Sequence, residues 1–320
     1  QKFVGAKSAS IVGAAAGGGL SGAAPPYSLS LGDQRGRSSP FTGRWCETII
    51  FSRVLHEYER QIVREYIAAR YGIAAPSLTG PDRELMSLRP FSWLDAASYD
   101  ASGGKVTAFF DRALPGHSFV QQTQAYQSPS PTANPAVNGQ LTATFDGAGT
   151  RYQSSLPAGA WSYLHRNPHT TYLLWVPSSL VGDQAGWSTY GTSAAAAYLY
   201  ASLASAGAHQ ASTQGNTGET VDSSGAFGTS TVGAAKCVRV SRTSADFLVH
   251  EDGIQRYSKE LGPPGSNKAS TSLMIGSLQA AGSNFLNGAL ATMLSFDRAL
   301  TSAELARVSA AISSKWGHSP

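Results

Sequence analysis

One phrase of this chain occurs twice, and that repeat constrains the fold more than any other feature. Gly43 to Gly72 aligns without a gap on Gly288 to Gly317, with identities at Gly43/Gly288, Phe51/Phe296, Arg53/Arg298, Leu55/Leu300, Glu59/Glu304, Val63/Val308, Ile67/Ile312 and Gly72/Gly317. In each copy a short apolar stretch of strand character comes first, RWCETIIF or ALATMLSF. The period then changes. Leu55, Ile62, Val63, Tyr66, Ile67 and Tyr71 in the first copy, and Leu300, Leu305, Val308, Ile312 and Trp316 in the second, recur at helical spacing. Thr301 and Glu304 have the spacing of a capping box, in which side chains at each position satisfy the other's backbone amide. His56 and Glu59 replace them in the first copy, which predicts a weaker reciprocal cap. Gly72 and Gly317 stand where a helix commonly ends in a left-handed residue. The repeat is therefore a strand, a helix and a stop.

Composition places these units in a β-rich globular protein. Hydrophobic residues make up 42% of the chain and charged residues only 14%, enough to bury a large core and too little charge for a disordered polyelectrolyte. Turn-rich segments separate short apolar runs, the pattern of an all-β sandwich. TTYLLWVP lies between Pro168 and Pro177 and reads as a buried strand, and AAYLYASLA alternates large and small residues as a strand with one packed face does. In FLVHEDGIQRY the dipeptide Asp252-Gly253 separates two strand-like runs, which predicts a tight hairpin. Trp93, Trp161, Trp175 and Trp316 sit within apolar patterns and read as core.

The aromatic-x-Arg-x-Leu step followed by a helix ending in aromatic-Gly resembles the end of bacterial and phage laminin-G-like domains, members of the concanavalin A-like lectin/glucanase superfamily. WLDAASYDASGGKVTAFFDRA from Trp93 is similar to the opening strands of such a domain, and AVNGQLTATFDG from Ala136 to its Asn-Gly turn and following strand. The resemblance implies an all-β, antiparallel two-sheet β-sandwich, a concanavalin A-like jelly roll, with a short C-terminal helix. Residues 85–320 are expected to form one such sandwich. Only about forty residues precede the first copy's phrase, so residues 1–75 are read as the C-terminal portion of a second, incomplete module. Upstream sequence or another protein subunit is expected to complete it or pack on it. Residues 76–84 read as a Pro- and Gly-bearing linker. The Gln1 start is that expected of a processed or excised product, so a lost export signal stays open.

Several functions are disfavoured by the same residues. The net charge of +4 comes from residues 1–75, with nine Lys and Arg against five Asp and Glu, but the cations are scattered, so no nucleic-acid partner is expected. The Gly-rich tract from Ser8 lacks the large apolar residues of a membrane span, so no membrane insertion is expected. Cys46 and Cys237 are too few for a disulfide framework and read as buried thiols. The superfamily's glucanases carry Glu-x-Asp-x-x-Glu on one strand, a pattern this sequence does not contain. Glu219 with Asp222, and Glu251 with Asp252, read as solvated carboxylates of loops and turns. No catalytic residue is assigned and no enzyme is expected. The two histidines of HRNPH, His165 and His169, read as a surface loop rather than a metal site, and His250 as part of a turn. No cofactor is expected, although the resemblance allows calcium.

Trp187 and Tyr190 are the glycan-binding candidates, since GDQAGWSTYGTS reads as a Gly-, Ser- and Thr-rich loop that no strand pattern claims, and sugars stack on exposed aromatic faces. A core role for Trp187 is the alternative. The expected function is a non-enzymatic structural or adhesive protein of tandem modules, located extracellularly, on a cell surface or on a virion, acting through protein assembly and glycan attachment. The alternative is a carbohydrate-binding module of a larger glycan-active enzyme.

Overall fold

The computed structural model describes residues 48–49, 51, 55–73, 78, 80–121, 123–181, 184–189, 199–203, 209–214, 220–222, 231–261, 269, 271–278 and 284–320. Contacts divide the chain into two units, Gln1–Leu55 and His56–Pro320, and nearly all described residues belong to the second. Its helices are α1 (Glu57–Tyr71), α2 (Gly80–Ser87), α3 (Tyr163–Arg166) and α4 (Ser302–Trp316). Its strands are β1 (Ser92–Ser102), β2 (Lys105–Asp111), β3 (Ser118–Val120), β4 (Thr132–Ala133), β5 (Leu141–Asp146), β6 (Tyr152–Ser154), β7 (His169–Pro177) and β8 (Gln184–Ser188). They continue as β9 (Leu199–Leu203), β10 (His209–Gln214), β11 (Thr220–Asp222), β12 (Lys236–Arg242), β13 (Asp246–Glu251), β14 (Ile254–Glu260), β15 (Met274–Ile275) and β16 (Asn287–Phe296).

Large side chains alternate along β7, and all nine of its residues are buried. Leu173 and Trp175 enter one core, while Tyr172, Leu174 and Val176 enter another, so β7 lies in a sheet covered on both faces. The hydrogen-bonded strands follow the order β11-β10-β9-β8-β15-β6-β3-β2-β1-β16-β7-β12-β13-β14, every pairing along it antiparallel. The path turns at β1, whose first residues pair with β16 and whose last pair with β2 after a register shift between Leu94 and Tyr99. That break lets one continuous ladder fold back as two layers.

The first core lies between the layers. Phe109, Phe119, Tyr152, Trp187 and Ile275 come from β2, β3, β6, β8 and β15, and meet Leu173, Trp175, Val240, Phe247 and Met293 from the other sheet. The second core lies between the outer face of that other sheet and the helices, where Leu85 and Met86 of α2 join Val308, Ala311, Ile312 and Trp316 of α4. The expected two-sheet antiparallel sandwich with a short C-terminal helix is thus present, with α2 added beside α4.

Both repeated helices have complete ends. In α4, Thr301 accepts from Glu304 N while the Glu304 carboxylate accepts from Thr301 N, and Gly317 closes the helix at φ 65°. The expected weaker cap of α1 is corrected here: His56 Nδ1 accepts from Tyr58 N, the His56 side chain also serves the third helical amide, and Glu59 accepts from His56 N at 3.0 Å. An imidazole nitrogen has taken the hydroxyl's role. Gly72 ends α1 at φ 64°. Arg89 reaches Glu59 at 2.8 Å, Arg83 reaches Glu65 at 3.2 Å, and Tyr58 packs on the second core, so α1 rests on the sandwich. The second half of the expected linker is helical, because Pro81 suits a first turn and Leu85 and Met86 need burial. Residues 1–47, and with them the strands expected of the first module and Cys46, lie outside the described residues.

Candidate functional site

Alternation along β3 generates the face that carries the candidate site. Phe119 points into the first core, so Ser118 and Val120 point to the sheet's outer side. Register extends that side across neighbouring strands: Phe110 lies opposite Ser118, Val120 opposite Gln153, Gln153 opposite Met274, and Met274 opposite Ser188. A cleft of about 300 Å³ opens on it, lined by Val120, Gln121, Thr123, Arg151, Gln153, Ser154 and Met274. Hydrogen bonds fix its rim. Gln121 Nε2 donates to Arg151 O at 3.0 Å, Gln121 Oε1 accepts from Thr123 N at 2.9 Å, and Gln127 Nε2 donates to Gln121 O at 2.7 Å. The Arg151 guanidinium lies over the Tyr126 ring, 4.6 Å from its centre. Gly149 permits this approach, since a Cβ there would stand 2.6 Å from the Tyr126 ring. Gln153 is exposed. The lining combines two amides, a guanidinium and two hydroxyls with the apolar Val120 and Met274, and holds no carboxylate.

A second, larger cleft of about 680 Å³ lies between α1 and the β2–β3 turn. Arg60, Gln61 and Arg64 line it from α1, and Phe110, Arg112, Gly116 and Ser118 from the sheet. Phe110 is 47% exposed. Arg112 is committed to two carboxylates, Asp82 and Asp95, each at 2.8 Å, and lies 4.1 Å from the centre of the Trp93 ring. Lys315 joins the same two acids at 2.8 and 2.6 Å. Arg112 and Lys315 against Asp82 and Asp95 form a balanced network that ties α2, α4 and β1 together. Although burial opposes its ionised form most, the charges and hydrogen bonds of Arg112 and Lys315 hold the Asp82 carboxyl below its usual range.

A buried relay separates the clefts. Asp111 Oδ1 accepts from the backbone amides of Trp93, Ala113 and Leu114, and Oδ2 from Ser92 Oγ at 2.5 Å. His117 Nδ1 lies 2.7 Å from Asp111 Oδ2, and His117 Nε2 lies 2.9 Å from Ser154 Oγ. This is the order of a nucleophilic Ser-His-Asp triad. Its electrons are disposed otherwise. Ser154 Oγ accepts from Trp161 Nε1 at 3.0 Å and from Leu156 N at 3.1 Å, which occupies both lone pairs and directs its proton to His117. With no lone pair to offer a carbonyl and only 4% exposure, Ser154 is built as a clamp holding β2, β3, β6 and Trp161 together.

The residues singled out in the sequence fall elsewhere. Trp187 is fully buried in the first core, on a strand whose five residues are all buried, so it offers no face to a sugar; this corrects its placement in an exposed loop. Tyr190 and Glu219 lie outside the described residues. Trp93, Trp161, Trp175 and Trp316 are core residues, as their patterns indicated, and Cys237 is buried. His165 and His169 are not on a surface loop. Both are buried, and desolvation, the neighbouring imidazole for His165, and Arg242 lower their pKa values to about 3 and about 4. Glu251 is likewise buried rather than solvated, paired with Lys236 at 3.0 Å and Arg256 at 3.5 Å. Asp252 and Gly253 have φ of 50° and 78°, the tight hairpin expected between β13 and β14. Among the described residues no three His, Cys, Asp or Glu side chains converge as a metal site, and no helix is long and apolar enough to cross a membrane.

The residues of the clefts escaped sequence reading because exposed Gln and Arg on strands look like an ordinary solvated face. One signal was available: alternation in KVTAFFD sends Phe109 inward and must send Phe110 outward.

No protein-family model and no curated protein sequence matches the chain. Solved structures show distant, partial likenesses. Domain 4 of a GH43 extracellular arabinanase from Geobacillus stearothermophilus, in complex with arabinotriose, is 15% identical with a TM-score of 0.40, over 51% of this chain and 74% of that one. The CBM40 of a Ruminococcus gnavus IT-sialidase, bound to α2,3 sialyllactose, is 13% identical with a TM-score of 0.42, over 54% and 96%. A Trypanosoma rangeli sialidase in complex with the inhibitor DANA is 11% identical with a TM-score of 0.49, over 78% of this chain but only 37% of that one.

Proposed function

We propose that the chain is a non-enzymatic glycan-binding module, a concanavalin A-like sandwich of laminin-G type serving attachment outside the cell, on a cell surface or a virion. The observation that carries this reading is the polar cleft across β3, β6 and β15. Sugar recognition needs planar amides and guanidinium groups that match vicinal hydroxyls, with apolar surface for the ring's C–H face. Gln121, Arg151 and Gln153 supply the first, and the half-buried Val120 the second. Retaining and inverting glycosidases place two carboxylates about the scissile bond, and the lining of this cleft contains none. This lining supports a reading of binding without hydrolysis. A glycan array with the wild-type chain and the Arg151→Ala and Gln153→Ala variants tests it: a defined ligand class is expected, weakened by both substitutions.

A second reading, assembly with other protein subunits, is favoured by α1. Ile62 and Tyr66 lie one turn apart on that helix and are 43% and 42% exposed, an apolar stripe open to a partner. Light scattering of the wild type and Ile62→Asp tests it, with a higher mass for the wild type expected.

A further inference from the structure

The smaller cleft is built around a cation that its own strands leave without an anion. Tyr152 points into the first core, so Arg151 and Gln153 on either side of it project from the sheet's outer face, about 7 Å apart along the chain. The Arg151 guanidinium lies over two rings, 4.6 Å from the centre of Tyr126 and 5.7 Å from that of Phe285. Aromatic rings hold a guanidinium by its charge and leave its N–H donors for an acceptor. Among the described residues none takes them: the hydrogen bonds of Arg151 are those of its backbone, N to Tyr126 O and O from Gln121 Nε2. Other cations are matched. Arg112 meets Asp82 and Asp95, Lys236 meets Glu251 and Asp252, and Arg298 meets Glu304.

The sequence accounts for the difference. From Ala113 to Gly182 the chain holds a single carboxylate, Asp146, and from Leu261 to Phe296 it holds none. Those two stretches supply β3, β6 and β15, the strands of the cleft. Asp146 Oδ1 accepts from the amides of Ala148, Gly149 and Thr150 at 2.9, 3.0 and 3.0 Å, so its own turn engages it. The positive potential of Arg151 therefore stands in a cleft whose lining has no acid to cancel it. Beside it, Gln153 and Thr123 line the same cleft and are exposed. Gln121 differs, since both ends of its amide are committed within the chain.

We propose that the sugar bound in this cleft carries an anionic group, a carboxylate or a sulfate, held by the Arg151 guanidinium while adjoining hydroxyls meet Gln153 and Thr123. Two parallel N–H bonds to the oxygens of one anion are charge-assisted and far stronger than bonds to a neutral hydroxyl. This rests on the cleft being a glycan site, and it adds the charge class of the ligand and the residue that selects it.

Calorimetric titration of the full chain with matched pairs tests the charge apart from the sugar. The probes are a galacturonate trimer with its neutral methyl ester, and a κ-carrageenan tetrasaccharide with its desulfated form. The charged member of at least one pair is expected to bind at least about tenfold tighter than its neutral counterpart, with the advantage shrinking as salt rises. In Arg151→Gln, shown to be folded by a thermal melt coincident with the wild type's, that advantage is expected to fall below about twofold. The pair that discriminates identifies the anion as carboxylate or sulfate, and either supports the proposal. Equal affinity within both pairs, binding of neutral arrayed glycans alone, or an advantage that survives Arg151→Gln overturns this inference; the glycan site itself then stands if Gln153→Ala still weakens binding. The comparison within pairs is made on the wild type, so it decides even if the variant fails to fold. If no probe and no arrayed glycan binds, the glycan site is refuted as well.

Discussion

Burial has turned two histidines of HRNPH from polar loop residues into neutral core groups. His165 and His169 are 1% and 0% exposed, and Arg242, itself buried, donates to His165 O at 2.6 Å. Both pKa values are depressed chiefly because burial disfavours a charged ring, and secondarily because a protonated ring would stand near the Arg242 guanidinium and, for His165, near the second imidazole. The sign of the consequence is definite. In the unfolded chain each ring takes up a proton near pH 6.5, whereas the folded chain refuses it until about pH 4 for His169 and about pH 3 for His165. Stability is therefore full above pH 6.5 and lost as pH falls from there towards 3, on the order of 3 kcal/mol for His169 and about 5 kcal/mol for His165. Urea unfolding between pH 7.5 and 4 is expected to show this fall, with a shallower slope in His169→Asn; a flat profile contradicts it. The Asp111 carboxylate makes a second residue-scale prediction. It organises three backbone amides, Ser92 and His117, so Asp111→Ala is expected to destabilise by about 3–5 kcal/mol in denaturant unfolding, the cost of stranding buried polar groups. Nothing in the spacing of Asp111, His117 and Ser154 announced this relay, because their meeting depends on strand pairing rather than on sequence distance.

Elements were legible where one local signal sufficed. The strand from His169 to Pro177, the Asp252-Gly253 turn and the cap at Thr301 each depend on neighbouring residues, and each formed as their patterns indicate. Thr301→Ala is expected to cost about 1 kcal/mol, readable as a lowered unfolding midpoint. Trp187 was misread because Gly, Ser and Thr around it suggest a loop, whereas a sheet neighbour on either side and the first core make the same residues a buried strand. The helix at Gly80–Ser87 was hidden behind Pro and Gly, although a proline at the first turn followed by Leu85 and Met86 suits a docked helix. Glycine at 276 marks the tightest element junction: its φ is 82° and a Cβ would stand 2.2 Å from Phe145. Gly276→Ala is expected to lose about 3 kcal/mol or more, or to fail to fold, as measured by unfolding and by soluble yield.

At the scale of the molecule, three layers divide the labour. The helices and their ion network cover one sheet, the aromatic core joins it to the other, and the second sheet's outer face is left to carry amides, arginine and an exposed phenyl ring. The sandwich could be read from the repeat and the strand patterns. The face proposed to bind glycans could not, because Phe110, Gln121, Arg151, Gln153 and Met274 are brought together only by register across β2, β3, β6 and β15. The most direct test of that face is calorimetric binding of an arrayed glycan hit to the wild type and to Arg151→Ala/Gln153→Ala, with thermal unfolding measured in parallel. The account predicts affinity reduced at least about tenfold, equivalent to about 1.4 kcal/mol, at an unchanged melting temperature. Unchanged affinity in a folded double variant contradicts it.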